Sequence, residues 1–172
     1  IIVPGEPNSI FFEIFFKSLK KIKIKSPMIL ITSINLLKFH MKKMNYKKKI
    51  KLIEKNQLRI DKLDNNFINV ININYKNPLK FEKISSKSNK FIKDCFQTAF
   101  FIIKKYKLKK FINGPVNKKI FLKKSFPGIT EYISSNFKIK KNVMLIYNKN
   151  LSVCPLTTHV PLKQVSKIIS KK

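Results

Sequence analysis

Short apolar runs of strand length alternate along this chain with longer runs of helical period, and that alternation restricts the fold more than any other feature. Ile1 to Val3 reads as a strand, PGEP as a turn, and Ile10 to Leu19 as a helix with one apolar face. Met28 to Ile31 is a second short strand, followed by a helix from about Asn35 to Met44. Ile50 to Ile53 and Phe67 to Ile73 look extended, the latter alternating apolar residues with Asn, and the serines of Ser85 to Ser88 form a loop. Ser88 then caps a long helix whose buried face is Phe91, Ile92, Cys95, Phe96, Ala99, Phe100, Ile103 and Tyr106. Phe111-Ile112 is a brief strand, NGPVNKK leads into a short helix, and SFPGITEY leads into another. Val143 to Tyr147 and Leu151 to Leu156 flank Asn148-Lys149-Asn150 as a hairpin, and Pro161 opens a last helix at its first position. There is no internal repeat. The pattern predicts an α/β fold with a mostly parallel sheet and an antiparallel excursion.

The length of 172 residues suits one domain, and 44% hydrophobic with 12% aromatic residues is enough for a packed core. A formal charge of +30 points first to nucleic acid. Two features argue against that partner. Only Arg59 among the 38 basic residues is an arginine, the side chain best suited to phosphates and guanine edges, and the lysines run the whole length of the chain. Lys, Ile, Asn and Phe make up more than half of the residues, the types an A+T-rich coding sequence favours, so mutational drift accounts for the charge. A basic nucleic-acid-binding protein is the rival reading. It requires a contiguous lysine surface and affinity that falls steeply with salt.

Cys95 and Cys154 lack metal-ligand or redox spacing and fall in apolar runs, so both are expected as buried, reduced thiols of a cytoplasmic protein. The opening IIVPGEP has no basic leader segment, so no signal peptide is expected, and no apolar run approaches membrane-spanning length. The chain opens without Met and inside a strand, the pattern of a fragment.

Three glycines serve the whole chain: Gly5 in PGEP, Gly114 in NGPV and Gly128 in FPGIT. Each sits beside a proline in a turn, where φ must be positive or another group approaches the backbone closely. Gly5 and Gly114 directly follow strands and Gly128 precedes a helix, places where exposed N–H groups can hold an anion. None forms a G-x-G-x-x-G or P-loop motif, so no nucleotide site follows from them. Of the two histidines, His40 lies in a lysine-rich amphipathic helix and is expected at the surface. His159 lies between a strand and a helix, where open α/β folds place ligands.

Taken together, FINGPVNKKIF, FPGITEYI, VMLIYNKNLSVCPLTTHVPLKQV and the opening VPGEPNSIFFEI resemble the 4-hydroxythreonine-4-phosphate dehydrogenase family of vitamin B6 biosynthesis. The motifs are dense from Phe111 to Ile169, present over residues 1 to 16, and nearly absent from 38 to 90. The resemblance runs in register over 1–172 but covers only the amino-terminal part of the family's length, with the carboxy-terminal half absent. It implies a three-layer α/β/α fold like that of the isocitrate and isopropylmalate dehydrogenases, assembled as a homodimer. It also implies NAD- or NADP-dependent oxidation of 4-phosphohydroxythreonine, a small phosphorylated amino acid, followed by decarboxylation to 3-amino-2-oxopropyl phosphate.

The family binds a divalent metal (Zn, Mg or Co) through three histidines, and His159 matches the first. A Lewis acid on the alcohol oxygen eases hydride departure and stabilises the enolate of decarboxylation. Thr130 falls in the substrate-contacting turn, here GITE, and Lys118 in GPVNK is placed to meet the substrate phosphate as a point charge. Glu13 and Glu131 match family positions as helix-start groups without assigned chemistry. Three departures stand out. Ile129 replaces a substrate-touching histidine, PNSIFFE replaces a glycine-rich opening, and the other two metal histidines and the nicotinamide contacts belong to the missing half. A catalytically inactive remnant of the enzyme is therefore the second alternative.

Overall fold

The computed structural model describes residues 1–76, 80, 82–123, 125–139, 142–157 and 160–169. It divides into two compact units, Ile1–Ile129 and Thr130–Lys172, where the length alone suggested one. The first unit holds β1 (Ile2–Val3), α1 (Phe11–Lys21), β2 (Ile29–Thr32), α2 (Ile34–Lys43), β3 (Ile50–Leu52) and β4 (Ile68–Asn72). These are followed by α3 (Asn89–Tyr106), β5 (Ile112–Asn113) and α4 (Lys118–Phe121). The strands form one five-stranded sheet in the order β3-β4-β2-β1-β5, and every pairing is parallel. All four residues of β2 are buried, as expected of a central parallel strand covered on both faces. The crossovers from β1 to β2 and β2 to β3 run one way along the sheet, whereas β4 to β5 runs back. With the right-handed crossover general for parallel strands, that order puts α1 and α2 on one face and α3 on the other. The α/β expectation holds, with the parallel character complete within the sheet.

Aromatic contacts dominate the packing of α1 against α2. Phe11, Phe12, Phe15 and Phe16 are buried on α1, each contributing roughly 1.5–3 kcal/mol. Phe16 stacks on Tyr46 just beyond α2 at 4.6 Å, and Phe12 stacks on His40 at 4.3 Å. His40 is thus a core residue, contrary to the surface position expected from its lysine-rich surroundings. It is only 3% exposed, because it shares the inward face of α2 with Leu36 and Leu37 while the lysines point away. Its Nε2 lies 3.1 Å from the Pro7 carbonyl, which can only accept, so the proton of the neutral ring sits on Nε2. Burial pushes the His40 pKa down, and the Pro7 hydrogen bond partly opposes that shift.

On the other face, α3 buries Phe91, Ile92, Cys95, Phe96, Ala99, Phe100 and Ile102, while Ile103 and Tyr106 are half-buried. Ser88 precedes this helix but makes no side-chain cap bond. A 3-10 turn over Ser86–Ser88 runs straight into the helix, leaving Ser88 in helical rather than extended backbone (φ −85°, ψ −11°). Cys95 is buried as expected, and burial raises its thiol pKa well above the usual value.

The second unit contains α5, which begins at the boundary (Ile129–Asn136), and α6 (Leu162–Ile168). Pro161 is the residue before α6 rather than its first. The expected hairpin is reduced to one antiparallel bridge, Ile146 to Val153, with N···O distances of 2.8 and 2.9 Å. Its turn does form, with the Asn150 N–H donating to Asn148 Oδ1 at 2.9 Å. Cys154, expected in a buried strand, is exposed because a single bridge brings no further strand over it. Val143, Tyr147, Leu151 and Leu156 are each at least 70% exposed.

Parallel pairing of β1 with β5 (Ile2 to Ile112, Val3 to Asn113) releases two loops side by side at the carboxyl ends of the strands. Residues 4–7 and 114–117 then interlock: the Gly114 N–H donates to the Val3 carbonyl and the Glu6 N–H to the Pro115 carbonyl, both at 2.8 Å. Gly5 has φ +71°, and a Cβ there would collide with the Pro115 carbonyl oxygen. A Cβ on Gly114 would collide with the Pro4 carbonyl oxygen. Both glycines therefore meet the strict backbone requirement expected of them.

Two outcomes follow from this packing. Gly114→Ala should destabilise the chain by about 1–3 kcal/mol in urea unfolding, since backbone, not a side chain, must yield. His40 binds its proton less readily when folded, so its contribution to stability is present above the usual pKa of 6.5 and is lost as pH falls through the lowered folded value. Thermal unfolding below pH 6.5 should therefore show a falling Tm in the natural chain and a shallower fall in His40→Phe.

Candidate active site

The interlocked loops carry the polar groups of the first unit most like a built site. Glu6 is 2% exposed, and its Oε1 accepts the Asn117 backbone N–H at 3.3 Å. Its own carbonyl accepts from Ser9 twice, from the backbone N–H at 3.1 Å and the hydroxyl at 2.8 Å. No lysine pairs with this carboxylate among the described residues, although lysine is abundant in the chain. Burial raises the Glu6 pKa, and the Asn117 N–H pulls it back. The carboxyl is thus held by dipoles rather than by a counter-charge.

Asn117 has a second task. Its side-chain Oδ1 accepts the Ile120 N–H at 3.2 Å, capping α4. The cap places Lys118 as the first residue of that helix, exposed and without an ion-pair partner among the described residues. At the other end of the short helix, Asn89 Nδ2 donates to the Ile120 carbonyl at 3.0 Å and ties it to the start of α3. The NGPVNKK segment therefore presents a lysine from a loop whose backbone is fixed on two sides.

The other candidate residues are distributed as follows. Thr130 is exposed in the first turn of α5, one residue after Ile129, and belongs to the second unit. Glu131 is half-buried in the same turn, and Glu13 lies in the first turn of α1, paired with Lys17 at 2.6 Å. Both glutamates thus occupy the helix-start positions expected for them, on the side of the helix dipole that favours a carboxylate. His159 lies outside the described residues. Among the described residues no three His, Cys, Asp or Glu side chains gather, so these residues alone do not make the three-ligand metal set.

Sequence reasoning missed Glu6 and misplaced His40. For His40 the signal was present, since Leu36, Leu37 and His40 fall at helical spacing on one face. For Glu6 no local signal existed; its partner lies 111 residues away. An apolar groove of about 370 Å³, lined in part by Phe15, Leu19, Met28 and Phe67, sits at the amino ends of β2 and β4, away from these loops.

Comparison with known proteins extends the fold. A family model described as pyridoxal phosphate biosynthetic protein PdxA matches residues 18–172. The chain is 26% identical, over 99% of its length, to the 4-hydroxythreonine-4-phosphate dehydrogenase of Sulfurihydrogenibium sp., of which it covers 52%. A 61-residue stretch, 34% of the chain, is 39% identical to the enzyme of that name from Colwellia psychrerythraea and covers 19% of it. A structure from Salmonella typhimurium titled as a 4-hydroxythreonine-4-phosphate dehydrogenase superposes with a TM-score of 0.79 at 22% identity. That match covers 98% of this chain and 54% of the other. A Klebsiella pneumoniae structure of the same description gives 0.77 at 20% identity, covering 97% and 53%. The chain thus spans about half the length of the full-length relatives it matches. With a family model matched over most of its residues, and the same fold in the solved structures, the chain belongs to the PdxA family of pyridoxal phosphate biosynthetic proteins.

Proposed function

We propose that this chain carries the amino-terminal portion of a 4-hydroxythreonine-4-phosphate dehydrogenase site. The observation that carries the proposal is the family match over residues 18–172, which includes Lys118, Ile129, Thr130 and His159. The substrate is 4-phosphohydroxythreonine. Its 3-hydroxyl carbon gives a hydride to NAD or NADP and the hydroxyl gives up its proton. The resulting β-keto acid loses carbon dioxide and leaves 3-amino-2-oxopropyl phosphate.

In this reading Lys118 receives the substrate phosphate. Its ammonium has no competing carboxylate among the described residues and sits on a capped, interlocked loop, so little further ordering is needed on binding. Thr130 contacts the substrate through its hydroxyl at the start of α5. His159 would supply one imidazole to a divalent metal, which would contribute Lewis acidity to hydride departure and decarboxylation. The family's remaining metal ligands and nicotinamide contacts are assigned to none of these 172 residues, and homodimeric assembly belongs to the same reading.

Ile129 favours a second reading, a catalytically inactive remnant of the enzyme. An aliphatic side chain at the head of α5 cannot make the hydrogen bond that a histidine makes there.

Calorimetric titration with 4-phosphohydroxythreonine should give saturable binding that Lys118→Ala weakens at least tenfold, or roughly 1.4 kcal/mol. Unchanged affinity in that variant would remove Lys118 from the site. Titration of Ile129→His tests the second reading: affinity raised severalfold over the natural chain supports loss of a substrate contact at that position, and unchanged affinity removes Ile129 as its ground.

A further inference from the structure

We infer that Glu6 is a positioning residue: by holding the Asn117 backbone N–H it fixes where α4 begins, and hence where Lys118 stands. The inference rests on the reading of Lys118 as the phosphate contact.

Four observations support it. The Glu6 side chain is enclosed, so it does not itself meet a ligand. Its side-chain oxygen Oε1 accepts from a backbone donor of the opposite loop, the residue immediately before Lys118. Asn117 in turn holds the first turn of α4 through Ile120, so one carboxylate oxygen, one backbone N–H and one amide cap form a continuous link to the lysine. The Glu6 backbone N–H binds the same loop two residues earlier, at Pro115, so the loop is gripped at two points. A lysine partner would be counterproductive here. It would draw the carboxylate away from Asn117 and place a second cation beside the loop. Its absence among the described residues fits a structural grip rather than an ion pair.

The test combines amide hydrogen exchange with ligand titration on the whole 172-residue chain. In the natural protein the Asn117 amide should be protected at least tenfold over the free-chain rate. Glu6→Gln retains an acceptor oxygen and should keep that protection and bind 4-phosphohydroxythreonine within about threefold of the natural chain. Glu6→Ala should lose the protection of Asn117 and Ile120 and bind at least fivefold more weakly, while the β4 amides (Ile68–Asn72) stay protected. An unprotected Asn117 amide in the natural chain, or one still protected in Glu6→Ala, overturns the inference. If Glu6→Ala does not fold, judged by exchange of the β4 amides, the natural chain and Glu6→Gln decide: loss of Asn117 protection in either overturns it. Lys118→Ala separates the two levels. Affinity unchanged in that variant ends the phosphate reading, whereas the Asn117 exchange result tests the grip without any ligand.

Discussion

Everything at the carboxyl edge of this sheet depends on how closely two backbones approach. β1 and β5 are adjacent and parallel, so the chain that leaves each strand must pass the other at once. Only residues without a Cβ fit at Gly5 and Gly114, where the neighbouring carbonyls occupy the space a side chain would take. Once that contact is made, the partners of Glu6, Pro115 and Asn117 follow with little freedom left. The order of events is steric first and electrostatic second. The glycines permit the approach, and the hydrogen bonds then set the register.

The stability of the first unit comes from apolar burial despite its charge. Ion pairs such as Lys17–Glu13, Arg59–Asp61 and Lys90–Asp94 join exposed side chains, and pairs of this kind each contribute about 0–1 kcal/mol. They do little against the mutual repulsion of a chain at +30. Phenylalanine supplies the opposing contribution. Phe11, Phe12, Phe15 and Phe16 pack under α1, while Phe96 and Phe100 meet Phe111 at 5.8 and 6.0 Å. Lysine stems add to the cover, as where Lys20 lies over the Tyr46 ring at 5.7 Å.

The strands and helices of the first unit were legible in the sequence to within a residue or two, because apolar periodicity records which face of each element is buried. The same logic explains what was misread. Lys38 and Lys42 made α2 look solvent-facing, yet they occupy one side of the helix while His40 occupies the other. The 143–156 segment carries the β-branched and aromatic residues of a strand pair. Propensity alone does not supply a neighbouring strand, so only one bridge forms and Cys154 stays exposed. At the candidate site, Lys118 and the interlocking glycines could be read from their motifs. Glu6 could not, since burial of a carboxylate against a loop from the far end of the unit is a tertiary event.

The uncovered ribbon around the Ile146–Val153 bridge has a consequence for how copies of the molecule behave toward one another. Val143, Tyr147, Leu151 and Leu156 offer water a run of bare hydrocarbon, while the molecule as a whole carries a large excess of one sign. In dilute buffer the long-range field keeps copies apart. At about 0.1 M salt that field decays over roughly 10 Å, and the greasy ridge is no longer shielded from contact by charge. Ionic strength therefore sets how far the charge of these 172 residues can compensate for the hydrocarbon they expose.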